Sequence, residues 1–431
     1  MSKQMNMPKL RFSGFGTEWE TYSLKQISTK NISYGVVQTG DRDLTVPCVR
    51  VVDLTSGELV KERFIKTSEA ISQSYKKTIL EKNELMIALR GVIGLTRAVG
   101  DDLVGCNLTR GIARVAPNKK KFISTYIEQV LNSPKSALRF DQLKNGSALK
   151  EISIGELNKY PVSCPTLPEQ QKIASFLSKV DEKITLLTKK KEKLVEYKKG
   201  VMQQLFSGKW EEQDGQLTFI PPTLRFKADD GSEFPDWQTF GFYSLLNEVL
   251  DFRGRTPLKI GMDWGNGSIL SLSANNVKNG YIDRDAENNV GSEELFTKWM
   301  GKVNLAKGDI IFTMEAPLGN ALLLPDSEKY ILSQRVVAFQ TKQKLVNNNF
   351  LIQVIWGKEF QNTIAKLSTG TTAKGINQKS LKKINVSLPC LKEQTKIADF
   401  LSSLDKKIEL TDSELEKAKE WKKGLLQQMF V

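Results

Sequence analysis

The chain has 431 residues, of which 40% are hydrophobic and 26% charged, as expected for a globular protein large enough for two domains. It contains no histidine, which excludes Ser-His-Asp triads, H-E-x-x-H zinc sites and histidine general bases. The net charge of +14 is carried by residues 1–210, because residues 211–431 hold 28 basic and 28 acidic residues. This charge favours nucleic acid as a partner.

Membrane and disulfide signals are absent from the sequence. No apolar run approaches the ~18 residues of a membrane span, and the N-terminus has no apolar signal core. The four cysteines are scattered, without a C-x-x-C pair. We therefore expect a cytoplasmic protein with reduced thiols, no metal site and no membrane partner.

The first motif in the chain is an F-x-G-x-G pattern formed by Phe12, Gly14 and Gly16, a spacing that methyltransferases use to bind S-adenosylmethionine. No apolar strand precedes Phe12, and no acidic residue follows a helix as cofactor binding requires. The matching stretch after Phe226 lacks the glycines. We therefore predict a turn that leads to Trp19, and no cofactor bound by this chain.

The regions from about 25 to 145 and from 243 to 369 are rich in strand-like runs. These runs occupy residues 45–54, 85–96, 309–314, 320–325 and 335–340, and helical patterns occupy residues 120–133 and 349–367. The patterns predict two mixed α/β domains. They do not predict the topology.

The strongest feature is an internal repeat. Residues 165–206 and 389–430 align without a gap at an offset of 224, with 23 identities in 42 positions. The alignment extends upstream to residues 146–157 and 370–381, and the halves open alike with "PKLRF" before Trp19 and "PTLRF" before Trp237. The order is therefore variable domain, shared helix, variable domain, shared helix.

Both repeated segments carry apolar residues at a mean spacing of 3.5, which is typical of coiled-coil seams. We predict that the two helices, each about 40 residues long, pair antiparallel. Lysines and Thr411 interrupt the seam and should weaken it; the alternative is that each helix packs on its own domain. The predicted pairing residues are Ile173, Leu177, Val180, Ile184, Leu187, Ile397, Leu401, Leu404 and Ile408.

The predicted fold class is α+β, with two mixed α/β domains separated by two long helices that form an antiparallel coiled coil. The predicted boundaries are residues 1–164 for the first domain, 165–208 for the first helix, 209–388 for the second domain and 389–431 for the second helix.

Basic residues recur at equivalent places in the two domains. Residues 105–150 carry a net charge of +7 and residues 335–383 carry +8. Two equivalent patches are what two DNA half-sites require, although a solvated helix face could explain either patch alone. The candidate DNA-binding residues are Arg90, Arg97, Arg110, Arg114, Ser147, Lys150, Arg253, Arg255, Lys259, Arg335, Thr371, Thr372, Lys374 and Gln378.

The chain resembles the specificity subunits of type I restriction–modification systems. The resemblance rests on "LPEQQKIASFLSKVDEKI" and "LKEQTKIADFLSSLDKKI", on the "LRF…W" openings, and on "GRTP" at 254–257 with Trp264 downstream. Arg255 departs from the family, which usually has a second glycine there. The first domain opens with "GVVQTG" at 35–40, unlike the second, so the two domains should belong to different recognition types.

The resemblance implies two target-recognition domains, each reading one part of a bipartite, asymmetric site in double-stranded DNA. It implies that the helices act as a spacer and dock two modification subunits, which hold S-adenosylmethionine and methylate adenine N6. Restriction subunits with ATP and Mg²⁺ would complete the complex. This chain would then be a non-catalytic subunit, with no catalytic, cofactor or metal residues of its own.

Three other functions have to be weighed against a specificity subunit. A stand-alone nuclease or methyltransferase is disfavoured, since neither P-D pair is followed by a well-placed E-x-K, and "GTTAKG" lacks the G-K-[ST] ending of a phosphate loop. A stand-alone sequence-specific DNA-binding protein outside a restriction system is an alternative. A coiled-coil adaptor that never meets DNA is another, but it leaves the repeated basic patches unexplained.

Overall fold

The computed structural model describes residues 7–36, 44–56, 58–144, 150–213, 216–370 and 374–430. The chain divides into two compact units. The first unit comprises Met1–Lys191 with Thr411–Val431, and the second comprises Glu192–Leu410. Each long helix therefore contributes one part to each unit. The boundaries of these units differ in kind from the four segments predicted from the sequence, and those four boundaries stay a prediction.

Three small sheets form the strand framework of the first unit. A two-stranded sheet pairs β1 with β9, a four-stranded antiparallel sheet has the order β2-β8-β5-β6, and a three-stranded sheet has the order β4-β3-β7. The strands are β1 Glu20–Ser23, β2 Ser33–Tyr34, β3 Val46–Val49, β4 Ile65–Thr67, β5 Leu85–Ala88, β6 Thr96–Ala98, β7 Asn107–Leu108, β8 Ile112–Val115 and β9 Pro161–Cys164. The helices are α1 Leu24–Ile27, α2 Val51–Leu54, α3 Glu69–Ser74, α4 Ser124–Leu131, α5 Pro134–Gln142, α6 Ile154–Lys159 and the long α7 Leu167–Leu205.

The second unit contains a hairpin and three further sheets. The sheets have the orders β12-β20, β13-β19-β16-β17 and β15-β14-β18, and the hairpin pairs β10 with β11. The strands are β10 Lys209–Gln213, β11 Gln216–Ile220, β12 Gln238–Gly241, β13 Leu246–Asp251, β14 Ile269–Leu272, β15 Val290–Gly291, β16 Ile310–Thr313, β17 Ala321–Leu323, β18 Ile331–Leu332, β19 Val336–Thr341 and β20 Asn385–Leu388. The helices are α8 Glu293–Met300, α9 Asn348–Trp356, α10 Lys358–Leu367, α11 Gln378–Leu381 and the long α12 Leu391–Met429.

The two variable domains share one topology, although their sequences diverge. Each of β1 to β9 has a counterpart among β12 to β20, in the same sheet order and with the same strand directions. In both domains the three-stranded sheet contains one parallel pair, β3 with β7 and β14 with β18. The elements from β7 to α7 begin 224 residues before their counterparts from β18 to α12. The structural repeat therefore extends further into each domain than the identical residues of the two halves indicate.

The predicted elements agree with the structure at most positions. The run at 85–96 forms β5 and β6 around a turn with Gly91 and Gly94 at φ 67° and 85°, and the helical pattern at 349–367 divides into α9 and α10 at Gly357. The run at 45–54 differs, because only its first part is the strand β3. Its second part forms α2, since the Asp53 carboxylate accepts a hydrogen bond from the Arg50 backbone N–H at 2.8 Å and closes a helical turn.

The repeated E-Q dipeptide fixes the start of each long helix to its domain. Glu169 is fully buried and accepts hydrogen bonds from Nε and Nη2 of Arg11, both at 2.7 Å. Glu393 is equally buried and accepts bonds from Nε and Nη2 of Arg225, at 3.1 and 2.7 Å. These bonds raise the pKa of both arginines. The "LRF" openings and the E-Q segments are therefore two halves of one contact.

The glutamine of each dipeptide satisfies three backbone groups. The Gln170 side chain accepts from the N–H of Ile123 at 3.0 Å and donates to the carbonyls of Lys121 and Pro165, at 3.1 and 2.9 Å. Gln394 repeats this pattern with the N–H of Asn347 and the carbonyls of Leu345 and Pro389. Buried backbone groups need such partners, so the dipeptide holds the loop before α4 or α9 against the helix.

Aromatic contacts complete the anchor. The Phe12 ring lies 5.6 Å from that of Phe176, and the Phe226 ring lies 5.7 Å from that of Phe400. Gly14 lies in a turn at φ 90°, which confirms the predicted turn in the F-x-G-x-G segment. Phe12 is thus a packing residue.

The long helices run antiparallel in the first unit. Asp181 of α7 pairs with Lys422 of α12 at 2.5 Å, and Lys191 of α7 pairs with Asp412 of α12 at 2.6 Å. A step of ten residues forward along α7 therefore corresponds to a step of ten residues backward along α12. Leu187 packs against Leu415 there. Lys191 and Lys422 were expected to weaken the seam. Their ion pairs across it offset this loss of apolar contact.

In the second unit Lys198 continues this arrangement with Asp405, at 2.5 Å. Val201 and Leu205 share a hydrophobic core with Ile397 and Leu401. Together with the two mixed domains, these helices confirm the predicted fold class.

The predicted pairing residues other than Ile408 occupy three environments. Ile173, Leu177 and Val180 belong to the core of the first unit, which also contains Leu425 and Met429 from α12. Ile397, Leu401 and Leu404 belong to the core of the second unit. Leu187 lies in a separate cluster between the two helices, and Ile184 packs against this cluster. Ile408 is half-buried. The residues at the ends of the seam therefore pack both against the other long helix and against a domain. Helix pairing and packing of each helix on a domain, the two alternatives predicted from the sequence, thus occur together.

Two chemical features complete the description. Cys48, Cys106, Cys164 and Cys390 are free thiols. Across the ranges described above, no helix is both long and apolar enough to cross a membrane.

Replacing Leu187 with Asp tests the helix pairing. The buried carboxylate would face Leu415 and Ala418 without a partner, so we expect the free energy of unfolding to fall by about 2–5 kcal/mol. Leu186→Asp is the matched control, because the neighbouring side chain is 60% exposed. Equal unfolding midpoints for the two variants in a denaturant titration would contradict the pairing.

Glu128 on α4 gives a pH-dependent prediction. Burial raises the pKa of this carboxyl from 4.5 to about 7. The increase is opposed by Arg97, the backbone of Ala98 and Lys422, and it is enlarged by the negative charge of Asp181. Because the folded pKa is the higher one, the folded state loses stability as pH rises from about 4.5 to about 7. Glu128→Gln removes this loss.

The two proteins should be equally stable near pH 4.5, and the variant should be more stable by up to about 3 kcal/mol above pH 7.5. The measurement is the free energy of unfolding of both proteins across this range. A stability difference that does not change with pH would contradict the assignment.

Candidate nucleic-acid interface

The two basic segments lie largely on the protein surface. In residues 105–150 only Arg114 is buried and Lys144 half-buried, while the other seven basic side chains are exposed. All nine basic residues of segment 335–383 are exposed. Cations placed in this way are free to approach phosphates.

In the second unit the ends of β13 and α11 bring two predicted residues together. The Arg253 guanidinium donates to both oxygens of Asp251, at 2.5–3.0 Å, and the Gln378 amide donates to the same carboxylate at 2.7 Å. Burial acts to raise the pKa of Asp251, but the hydrogen bonds from Arg253 and Gln378 outweigh it, so this pKa lies below its usual value. The carboxylate stays charged and fixes both side chains.

A second contact lies beside the first. Arg335 forms an ion pair with Glu315, with Nε 3.1 Å from the carboxylate, and Glu315 also acts electrostatically on Arg253. Glu315 forms a β-bridge with Gly375, which places exposed Lys374 next to the same group. Four predicted residues, Arg253, Arg335, Lys374 and Gln378, are thus gathered at one place.

Arg255 and Lys259 lie on the neighbouring glycine-rich loop and are exposed. Nη1 of Arg255 donates to the Trp299 carbonyl at 3.2 Å, and Nζ of Lys259 donates to the Gly254 carbonyl at 2.7 Å. The Gln334 amide donates to the Arg255 carbonyl at 3.2 Å, which links this loop to the turn that carries Arg335.

The first unit has a comparable group at the equivalent place. Arg90 forms a β-bridge with Glu151, and its Nη2 donates to that carboxylate at 3.3 Å. Lys150 is exposed and adjacent to Glu151 in the chain, and Arg110 is exposed next to Gly111, which lies against Arg90. Arg90, Arg110 and Lys150 therefore form the counterpart of the second group.

Two other predicted residues, Arg97 and Arg114, lie outside these groups. Arg97 is half-buried, with Nε 3.4 Å from the Leu54 carbonyl. Arg114 is 4% exposed and pairs with Glu84 at 3.2 Å, so its guanidinium is buried and does not belong to the surface groups. Ser147, Thr371 and Thr372 lie outside the described residues.

Sequence reasoning missed the carboxylates of the interface. Glu151, Asp251 and Glu315 each hold an arginine, yet an acidic residue in isolation indicates repulsion from DNA. The only available signal was the spacing D-x-R in "DFRGR", which places Asp251 two residues before Arg253. Within the described ranges no group of His, Cys, Asp and Glu is suited to a metal ion.

Comparisons with known proteins agree with this architecture. The family described as the type I restriction modification DNA specificity domain matches residues 16–196 and 236–420. The chain is 27% identical to the type I restriction enzyme MjaVIII specificity subunit of Methanocaldococcus jannaschii, over 83% of this chain and 81% of that protein.

Two solved structures share the fold. The S subunit of a type I restriction–modification system from M. genitalium has a TM-score of 0.58 at 14% identity, covering 99% of both chains. A chain from a structure on complex assembly and conformational transition of the type I R-M system has a TM-score of 0.54 at 13% identity, covering 96% of this chain and 98% of that one. Since the family match covers both halves of the repeat, the chain belongs to the specificity subunits of type I restriction–modification systems.

Proposed function

We propose that this chain reads a bipartite, asymmetric site in double-stranded DNA, with each variable domain contacting one half-site. As a specificity subunit, the chain assembles with other subunits of its restriction–modification complex and binds DNA. It is the non-catalytic part of such a complex.

One observation carries the proposal. Both domains present exposed cations at the same place in the same fold, but the side chains around these cations differ. A shared frame keeps the two contact surfaces equivalent, whereas different side chains give different base preferences. The site read by the whole chain should therefore be asymmetric.

The long helices are the proposed docking surface for two modification subunits. Apart from the residues of the seam, they expose large apolar side chains, namely Leu186, Val195, Tyr197, Leu410 and Trp421. The aromatic side chains Tyr197 and Trp421 support docking, because tyrosine and tryptophan are enriched at protein–protein interfaces. We propose that the modification subunits hold S-adenosylmethionine and methylate adenine N6.

Restriction subunits that use ATP and Mg²⁺ complete the proposed complex, which we expect to act in the cytoplasm, where the DNA is. A coiled-coil adaptor that never meets DNA is disfavoured by the exposed cations of both domains. A DNA-binding protein outside a restriction system is disfavoured by the family match.

Lysines at equivalent places test the DNA contact. Lys150→Ala and Lys374→Ala should weaken binding at all DNA sequences, because each removes a cation that faces phosphate. In a salt titration each variant should lower the slope of log affinity against log salt by about 0.9.

Lys82→Ala and Lys298→Ala are the controls, since both lysines are exposed but lie outside the basic segments. If the salt slopes of all four variants equal that of the wild-type complex, the interface lies elsewhere.

A further inference from the structure

One pair of positions is in contact in both domains. The first position lies two residues after β5 or β16, and the second lies directly before β8 or β19. The residue preceding the first position donates its N–H to the carbonyl of the second, from Leu89 to Gly111 at 2.8 Å and from Met314 to Arg335 at 2.7 Å. The positions of Arg90 and Gly111 in the first domain are therefore those of Glu315 and Arg335 in the second.

The two domains fill this pair in opposite ways. In the first domain the arginine is on the strand side as Arg90, and the other position is Gly111, where an added Cβ would lie 2.8 Å from Cγ2 of Val51 and 3.2 Å from Cγ of Arg90. In the second domain the arginine is on the turn side as Arg335, and Glu315 faces it. Each domain thus presents one arginine at the same place, supplied by opposite members of the pair.

A carboxylate holds each arginine without covering it. Glu151 contacts Nη2 of Arg90 at 3.3 Å, and Glu315 contacts Nε of Arg335 at 3.1 Å. The side chains remain 43% and 52% exposed, in contrast to the 4% of Arg114 beside Glu84. Among the described residues, no hydrogen bond engages the Nη groups of Arg335.

The backbone of Arg335 is strained. Its φ is 70°, in the left-handed region that disfavours any residue with a Cβ, and Ala316 beside its partner Glu315 has φ 44°. Glycine would fit the φ of Arg335 without strain. Backbone strain of this kind clusters at functional sites, where the surrounding structure holds it in place.

We propose that Arg90 and Arg335 are base-reading residues, each donating two hydrogen bonds to one guanine of its half-site. Guanine presents O6 and N7 together in the major groove, and the planar guanidinium matches this acceptor pair. Glu151 and Glu315 are positioning residues that fix the guanidinium plane. This assignment rests on the proposed function and adds to it the residue that discriminates in each domain.

The test uses the whole complex with its modification subunits, after the motif of the wild-type complex has been mapped. Competition binding measures affinity for the motif, for each single-base variant of it, and for unrelated DNA. The variants are Arg335→Gly, Arg335→Lys, Arg90→Lys and Glu315→Gln. Arg284→Ala is the control, because Arg284 is also exposed and paired with a carboxylate, that of Glu328, but takes part in none of these contacts.

Each lysine variant should lose about ten- to a hundredfold discrimination at one guanine of one half-site, while its affinity for unrelated DNA stays unchanged. Arg90→Lys and Arg335→Lys should affect different half-sites. Glu315→Gln should lower discrimination at the same base pair as Arg335→Lys, to a smaller extent. Arg335→Gly should lose that discrimination without lowering the unfolding temperature, because it relieves the strain at φ 70°.

A uniform loss of affinity at all sequences would identify these arginines as phosphate contacts and overturn the assignment. The assignment would also be overturned if the wild-type complex recognised a two-part motif and both lysine variants discriminated every base pair of that motif as strongly as the wild type. A wild-type complex with no two-part motif would overturn the proposed function and this assignment together.

Discussion

The buried contact between an arginine near the start of each half and the glutamate at the start of each long helix is the constraint on which the rest of the structure depends. A buried carboxylate needs a charged partner, and Glu169 and Glu393 each have one at hydrogen-bond distance. The adjacent glutamines tie the loops before α4 and α9 to the same helix ends. Each domain is therefore fixed to its helix by a motif that does not involve the recognition surface.

This separation explains how one frame can carry two different surfaces. Identities between the halves concentrate in the helices and the E-Q anchors, where the same contacts must be made twice. At the interface the halves instead exchange roles, as Arg90 with Gly111 and Glu315 with Arg335 illustrate. The sheet order is kept because the hydrophobic core needs only apolar residues at the same strand positions.

The sequence alone predicted the features that repeat or follow a simple period. The offset of 224 located the paired helices, and the five apolar runs located β3, β5, β6, β16, β17 and β19. The topology was not predictable, because strand pairing joins residues far apart in the chain, such as Glu20 with Cys164. The ion pairs of Lys191 and Lys198 were missed for the same reason, since their partners lie more than 200 residues away.

Two unlike domains on one repeated frame should read two unlike half-sites. The decisive experiment is sequencing that maps N6-methyladenine in cells expressing this chain with its modification subunit. We predict methylation in a single asymmetric motif of two short parts separated by a spacer of fixed length and any sequence, and its loss when this chain is omitted. A continuous motif, a palindromic motif, or methylation that persists without this chain would contradict the account.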